Sequence, residues 1–155
     1  MMDDKEIIEK LSSLCQLDID AFHAYGRALE HIEAAMLRDQ IAKFQSDHER
    51  HVTDLSALIS RLGGKPPEFS RDFKGFLLEG FTALRSMTGT EGAMKSLKSA
   101  EEMTNKRYGD ARSWDMPLDI ISLIQSNFED EQRHLHYVEQ SIDNRVWEAA
   151  GVSPK

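Results

Sequence analysis

Between Ile41 and Leu62 one helical face recurs every three or four positions, in the row Ile41, Phe44, His48, His51, Leu55, Leu58 and Leu62. That alternation is the buried stripe of an amphipathic α-helix, and it commits the segment to packing against other helices. Two imidazoles nonetheless stand where apolar groups are expected. Buried rings need hydrogen-bond partners or a metal, and neutral imidazoles three apart on one helical face can hold one ion between them.

The rest of the chain repeats the pattern. A first helix is expected from about Asp4 to Ile32, with Ile7, Leu11, Leu14, Ala21, Tyr25, Ala28 and Ile32 on a face that Asp18 interrupts. The second, about Ala35 to Leu62, stops at Gly63-Gly64 before Pro66-Pro67, a glycine C-cap followed by prolines. Residues 63–72 read as a loop, followed by a short helix from about Asp72 that is apolar on more than one side, from Phe73 to Met87. Such a helix is buried between layers or used in a subunit contact. Thr90 is the expected N-cap of the next helix, about Glu91 to Arg112, in which Glu101 replaces an aliphatic residue in the row Met94, Leu97, Thr104, Tyr108 and Ala111. A last helix begins near Pro117 and is expected to run to about Glu148, with Ile121, Ile124, Phe128, Leu135, Val138 and Ile142 inward. Glu131 breaks that row and His134 lies near the same face. Sustained period-2 alternation and Asn-Gly or Asp-Gly turns are absent, so the fold class expected is all-α.

At 155 residues the chain suits one domain, 1–155, able to bury a core without disulfides. The formal charge of −8 and a sequence pI near 5.2 speak against nucleic acid or an anionic lipid surface as partner, since both demand a basic face. No apolar run approaches the roughly 18 residues of a membrane span, and the acidic start MMDDKEIIEK is unlike a secretory signal. With one cysteine, Cys15, read as a small core residue, the expected location is the cytoplasm.

The interrupting residues share a depth. If helices one and two turn back near residue 36, Asp18 lies 18 residues before the turn, and His48 and His51 lie 12 and 15 after it. If the last two long helices turn back near residue 115, Glu101 lies 14 before, and Glu131 and His134 lie 16 and 19 after. At about 1.5 Å per residue, each pair brings its polar groups to within roughly one or two helical turns of one level. Burying three carboxylates without cations would drive them to take up protons. One or two divalent ions would supply the positive charge. The competing arrangement is a metal-free layer of Asp-His and Glu-His pairs. Tyr25 and Tyr108, seven residues after Asp18 and Glu101, are either donors to such a site or ordinary core tyrosines. Asp20 and His23 are reserve ligands, expected on present phase to face solvent or a partner subunit.

These residues resemble a known family. Glu131, Gln132, Arg133 and His134 have the Glu-x-x-His spacing of ferritin-like di-metal carboxylate proteins, and DHERHVTDL looks like their second such motif, with His51 as its histidine. Asp18 and Glu101 match the single-carboxylate positions. The wider text, LDIDAFHAYGRAL, LGGKPP and FKGFLLEGFTALR, is similar to rubrerythrin-related bacterial ferritin-like proteins over nearly the whole chain. The resemblance implies a four-helix bundle with a long crossover at 63–90 containing the additional short helix. It also implies a metal site formed by Asp18, His48, His51, Glu101, Glu131 and His134, with iron the first expectation and manganese or zinc compatible with the same N/O ligands. His48 stands where the family has a glutamate, and Asp18 is shorter than the usual glutamate. An imidazole does not ordinarily bridge two metals, so His48 puts a standard di-iron centre in question.

The function so implied is a metal-dependent oxidation of ferrous iron or reduction of oxygen or peroxide. The alternative is a metal-free or structurally metallated bundle acting through protein contacts, as a homodimer formed on Phe73 to Met87.

Overall fold

Asp3 starts the first helix by accepting a 2.9 Å hydrogen bond at Oδ1 from the Glu6 amide, with Asp4 and Glu6 adding negative charge to the first turn. The computed structural model describes residues 1–69 and 88–149. Its elements are α1 (Asp4–Leu29), α2 (Ala35–Arg61), α3 (Gly89–Ala111), α4 (Leu118–Asp143) and the short α5 (Val146–Ala149). The apolar segment expected as a crossover helix and subunit contact, Phe73 to Met87, lies outside the described residues.

The expected stripes form the core. Ile7, Leu11, Leu14, Ala21, Tyr25, Ala28 and Ile32 of the first, and Ile41, Phe44 and Leu55 of the second, are all buried. The stop after α2 closes with Gly64 N donating to Ile59 O at 2.9 Å and Gly63 N donating to Ser60 O at 3.0 Å. This pattern needs the left-handed backbone that Gly63 adopts at φ +90°.

Neighbouring helices run antiparallel. Cys15 of α1 meets Val52 and Ser56 of α2, and Gln45 of α2 reaches Phe22 of α1. Tyr25 and Tyr108 pair α1 with α3 in opposite directions, and His51 and His134 do the same for α2 and α4. Helices α2 and α3 therefore run parallel, so the end of α2 at Arg61 and the start of α3 at Gly89 lie at opposite ends of the bundle. In an up-and-down bundle they would lie at the same end; the ferritin-like order sets them apart.

Three expectations are corrected. Thr90 is not an N-cap: it is buried one residue inside α3, where its Oγ1 accepts from the Glu33 amide at 3.2 Å and fastens the α1–α2 turn. Helix α4 ends at Asp143 rather than near Glu148, because Arg145 takes a left-handed φ of 45° and α5 folds back to bury Trp147. The Arg145 side chain holds this corner through Glu91 at 3.1 Å and Glu148 at 2.7 Å. The buried stripe of α4 is also turned by about one residue. Ile120, Asn127, His134 and Ser141 are buried, whereas Ile121, Leu135 and Ile142 are only partly so. Glu131 and His134 both face inward, and that fixes the centre of the face between them.

Candidate metal centre

Each of the four long helices delivers its interrupting residues to one mid-bundle layer. Asp18 from α1, His48 and His51 from α2, Glu101 from α3, and Glu131 and His134 from α4 all have 0% exposure. They form two overlapping tetrads, Asp18, His48, His51 and Glu131, and His48, Glu101, Glu131 and His134, in each of which one donor atom per residue lies within 4.8 Å of the others. His48 Nδ1 is 2.9 Å from Asp18 Oδ1 and 3.4 Å from Glu131 Oε1. Its Nε2 is 3.2 Å from Glu101 Oε1. His51 Nδ1 is 3.0 Å from Asp18 Oδ1 and 3.4 Å from Glu131 Oε1. His134 Nδ1 lies 3.4 Å from both Glu101 Oε1 and Glu131 Oε2.

An outer ring of charge, absent from the expectations above, holds two of these imidazoles. His51 Nε2 donates to Asp130 Oδ2 at 2.9 Å, and His134 Nε2 donates to Asp47 Oδ2 at 2.7 Å. Asp47 and Asp130 are in turn clamped by Arg50 and Arg133. The arrangement is reciprocal, since each aspartate sits one residue before an inward-facing residue of its own helix and orients the histidine of the other. Its signature is a repeat in the sequence, Asp-x-x-Arg-His, at Asp47–His51 and again at Asp130–His134.

The tyrosines complete a second reciprocal pair. Tyr25 of α1 donates to Glu101 Oε1 of α3, and Tyr108 of α3 donates to Asp18 Oδ2 of α1. Thr104 Oγ1 lies 3.0 Å from Glu131 Oε2 and 3.1 Å from Glu101 Oε2, with one proton to give. Asn105 Nδ2 ties the backbones of α3 and α4 by donating to the carbonyls of Glu101 and Glu131 at 2.7 and 2.9 Å. The tyrosines are therefore donors to the cluster rather than simple core filler.

Burial alone would lower the pKa of each imidazole. The carboxylates around them reverse that, holding His48 up at about 9, His51 at about 12 and His134 at about 11. Burial likewise opposes ionisation of Asp18 and Glu101, but the facing imidazoles outweigh it and keep both carboxyls below their ordinary range. Burial, with the neighbouring carboxylates, pushes both tyrosine hydroxyls well above 10. The metal-free cluster thus balances its carboxylates with imidazolium protons.

Two atoms are held in this pairing only at 3.4 Å, too far for a good hydrogen bond. Glu131 Oε1 and His134 Nδ1 are buried without a hydrogen-bond partner. A buried polar atom without a partner costs about 1–3 kcal/mol, a cost removed at whichever of the two atoms takes a metal ion. The mixed N/O donors suit a borderline transition metal. Metal-ligating histidines characteristically give their second nitrogen to a carboxylate, as His51 and His134 do here.

The reserve residues do not join the cluster. Asp20 is half-buried and accepts from Gln16 Nε2 at 3.0 Å. His23, expected toward solvent or a partner, is 5% exposed and lies edge-on to Phe22 and Phe69. The expectation failed because α1 is buried on a second side by Leu17, Ile19 and Ala24. Cys15 is a buried core residue, its thiol pushed up to about 11 by burial. On the α2–α4 side a groove of about 460 Å³, lined by Met36, Phe44, Arg133 and Tyr137 among others, comes within one side chain of the cluster. That side chain is Phe44, whose ring lies 4.3 Å from the His134 ring. Among the described residues no helix is long and apolar enough to cross a membrane.

The fold has a solved counterpart. A crystal structure described as "ferritin like, diiron-carboxylate proteins" from Bacillus anthracis str. Ames is similar with a TM-score of 0.67 over 92% of this chain and 99% of that one, at 20% sequence identity. The bundle is thus ferritin-like. No curated protein matches the chain. Residues 6–113, from α1 through the end of α3, match the family model described as Domain of unknown function (DUF2383), a span that holds Asp18, His48, His51 and Glu101. With well over half of its length matched, the chain belongs to that family.

Proposed function

We propose that the chain binds a transition metal in the mid-bundle cluster and uses it to oxidise ferrous iron or to reduce oxygen or peroxide. The observation that carries this reading is that Glu131 Oε1 and His134 Nδ1 are buried without a hydrogen-bond partner in a layer whose side chains Asp47, Asp130, Tyr25 and Tyr108 hold from outside. The ligands are drawn from Asp18, His48, His51, Glu101, Glu131 and His134. Iron is the first choice, supported by the likeness to the Bacillus anthracis diiron-carboxylate structure; manganese and zinc suit the same donors. Bound iron would supply one-electron redox chemistry and polarise an oxygen ligand.

The protein's own part is preorganisation. Asp47 and Asp130 set the imidazole planes, Tyr108 holds the outward oxygen of Asp18, Tyr25 donates to Glu101 Oε1, the oxygen that faces His48 and His134, and Phe44 screens His134 from the groove outside. Anaerobic addition of ferrous iron followed by air tests the reading. Oxygen consumption and ferric absorbance that depend on His51 and Glu131 are expected; iron oxidation no faster than in protein-free buffer would overturn the activity.

A second reading rests on the mutual pairing of the imidazoles with Asp18 and Glu101. In it the layer is a metal-free polar network, and the chain acts as a homodimer through Phe73 to Met87. Sedimentation of the metal-free chain tests it: a monomer contradicts the dimer.

A further inference from the structure

Resting on the metal reading above, the cluster's two tetrads can be ranked. They share His48 through different nitrogens: Nδ1 faces Asp18 and Glu131, and Nε2 faces Glu101. A neutral imidazole has one lone-pair nitrogen and one N–H. One ring therefore completes one tetrad at a time.

The surroundings decide which. In the first tetrad four of the six edges are 2.9, 3.0, 3.4 and 3.4 Å. A tetrahedron with metal–ligand bonds of about 2.0–2.1 Å has edges of about 3.3–3.4 Å. The Glu131 edges match and the Asp18 edges are shorter, while edges of 3.2, 3.4 and 3.4 Å in the second tetrad come as near, so the ranking rests on the hydrogen bonds around each tetrad. Every member of this tetrad has its outward atom already engaged. Asp18 Oδ2 accepts from Tyr108, Glu131 Oε2 faces the Thr104 hydroxyl at 3.0 Å, His51 Nε2 donates to Asp130, and His48 Nε2 faces Glu101 at 3.2 Å. The inward atoms Asp18 Oδ1, Glu131 Oε1, His48 Nδ1 and His51 Nδ1 are left for an ion, and Glu131 Oε1 has no other partner.

In the second tetrad His134 shows this division, with Nε2 on Asp47 and Nδ1 inward, but the carboxylates do not. Its Glu101 Oε1 already accepts from Tyr25, and its Glu131 Oε2 is the oxygen that faces Thr104. With Nε2–H of His48 donating to Glu101, Glu101 becomes the carboxylate that orients a ligating histidine, as Asp130 does for His51.

We propose that this chain holds one four-coordinate divalent ion, on Asp18 Oδ1, His48 Nδ1, His51 Nδ1 and Glu131 Oε1, with Glu101 a positioning residue. The replacement that removes a second bridging carboxylate, His48, is on this account what makes the centre mononuclear. His134, held by Asp47, stands beside the ion rather than on it, its Nδ1 remaining 3.4 Å from Glu101 Oε1 and Glu131 Oε2.

Anaerobic titration of cobalt(II) into the metal-free full chain tests this, because four-coordinate cobalt absorbs visible light far more strongly than six-coordinate cobalt. One equivalent with the strong bands is expected. Asp18→Asn and His51→Ala lose that equivalent, whereas Glu101→Gln keeps it with the bands intact at about 10–100-fold weaker affinity. His48→Glu raises the uptake to two. Far-UV circular dichroism accompanies each variant, and X-ray absorption of the cobalt-loaded wild type, expected to count four N/O ligands including two imidazoles, stands independently of whether any variant folds. Two equivalents in the wild type, six-coordinate spectra, or loss of the ion in folded Glu101→Gln would overturn the proposal while leaving metal binding in place. No cobalt uptake at all would overturn both.

Discussion

Asp130 lies one residue before Glu131, yet its carboxylate turns outward to accept a 2.9 Å hydrogen bond from Nε2 of His51 on the facing helix. Asp47, one residue before His48, does the same for His134 at 2.7 Å. Helices α2 and α4 are thus joined by two carboxylate–imidazole bonds that also set which nitrogen each ring turns inward. Removing Asp130, which orients the ligating His51, should weaken metal binding without removing a ligand. Asp130→Ala is expected to lose about 10–100-fold in metal affinity, read by competition with a chelator, whereas Asp47→Ala, which frees His134 beside the ion, should lose less. Full retention of affinity in Asp130→Ala would show that the ring orientation does not depend on this bond.

The tyrosines predict a stability effect. Tyr108→Phe leaves Asp18 Oδ2 buried without its donor, a loss of about 1–3 kcal/mol for a buried hydrogen bond to a charged group. Tyr25→Phe should act similarly through Glu101. Denaturant unfolding of the metal-free chain checks both, and an unchanged midpoint would mean that the hydroxyls contribute nothing to holding the layer.

The pH dependence has a definite sign. His48, His51 and His134 have folded pKa values raised to about 9, 12 and 11. Their stabilisation of the metal-free fold is therefore complete below the unfolded imidazole value of about 6.5 and is lost as pH rises toward those folded values. Asp18 and Glu101 are held down, so their contribution is complete above the ordinary carboxylate range and lost as pH falls. Metal binding runs the other way, because ligating imidazoles must give up their protons. Between pH 6.5 and 9 the melting temperature of the metal-free chain should fall while the increment added by metal grows. Parallel curves would indicate that the histidines do not exchange protons for metal.

The fold was legible because apolar periodicity and helix stops are local signals. The rows through Ile7 to Ile32 and Ile41 to Leu55 are buried as read, and Gly63-Gly64 ends α2 as a glycine cap should. The six inward polar residues could be brought to one layer because helical rise converts residue counts into depth. Asp47 and Asp130 were missed for a related reason. At about 100° from its neighbour on the helix, a carboxylate beside an inward residue reads as a solvated charge, and only the repeated Asp-x-x-Arg-His spacing hints that it reaches across to the other helix. Helix α4 was misphased because its apolar residues alone centre the face near Ile121 and Leu135, whereas the cluster pulls Glu131 and His134 to the centre. The end of α4 depends on a left-handed Arg145, a conformation tied down by Glu91 and Glu148 that no helix-stop rule assigns to arginine.

Whether the mid-bundle layer holds metal is settled by elemental analysis of the full chain. The protein would be loaded anaerobically with ferrous iron or manganese, freed of excess metal, and compared with His51→Ala and Glu131→Ala treated alike. Stoichiometric metal in the wild type, lost in both variants together with the metal-dependent rise in melting temperature, is the predicted result. Wild-type protein that retains no metal after either loading would contradict it.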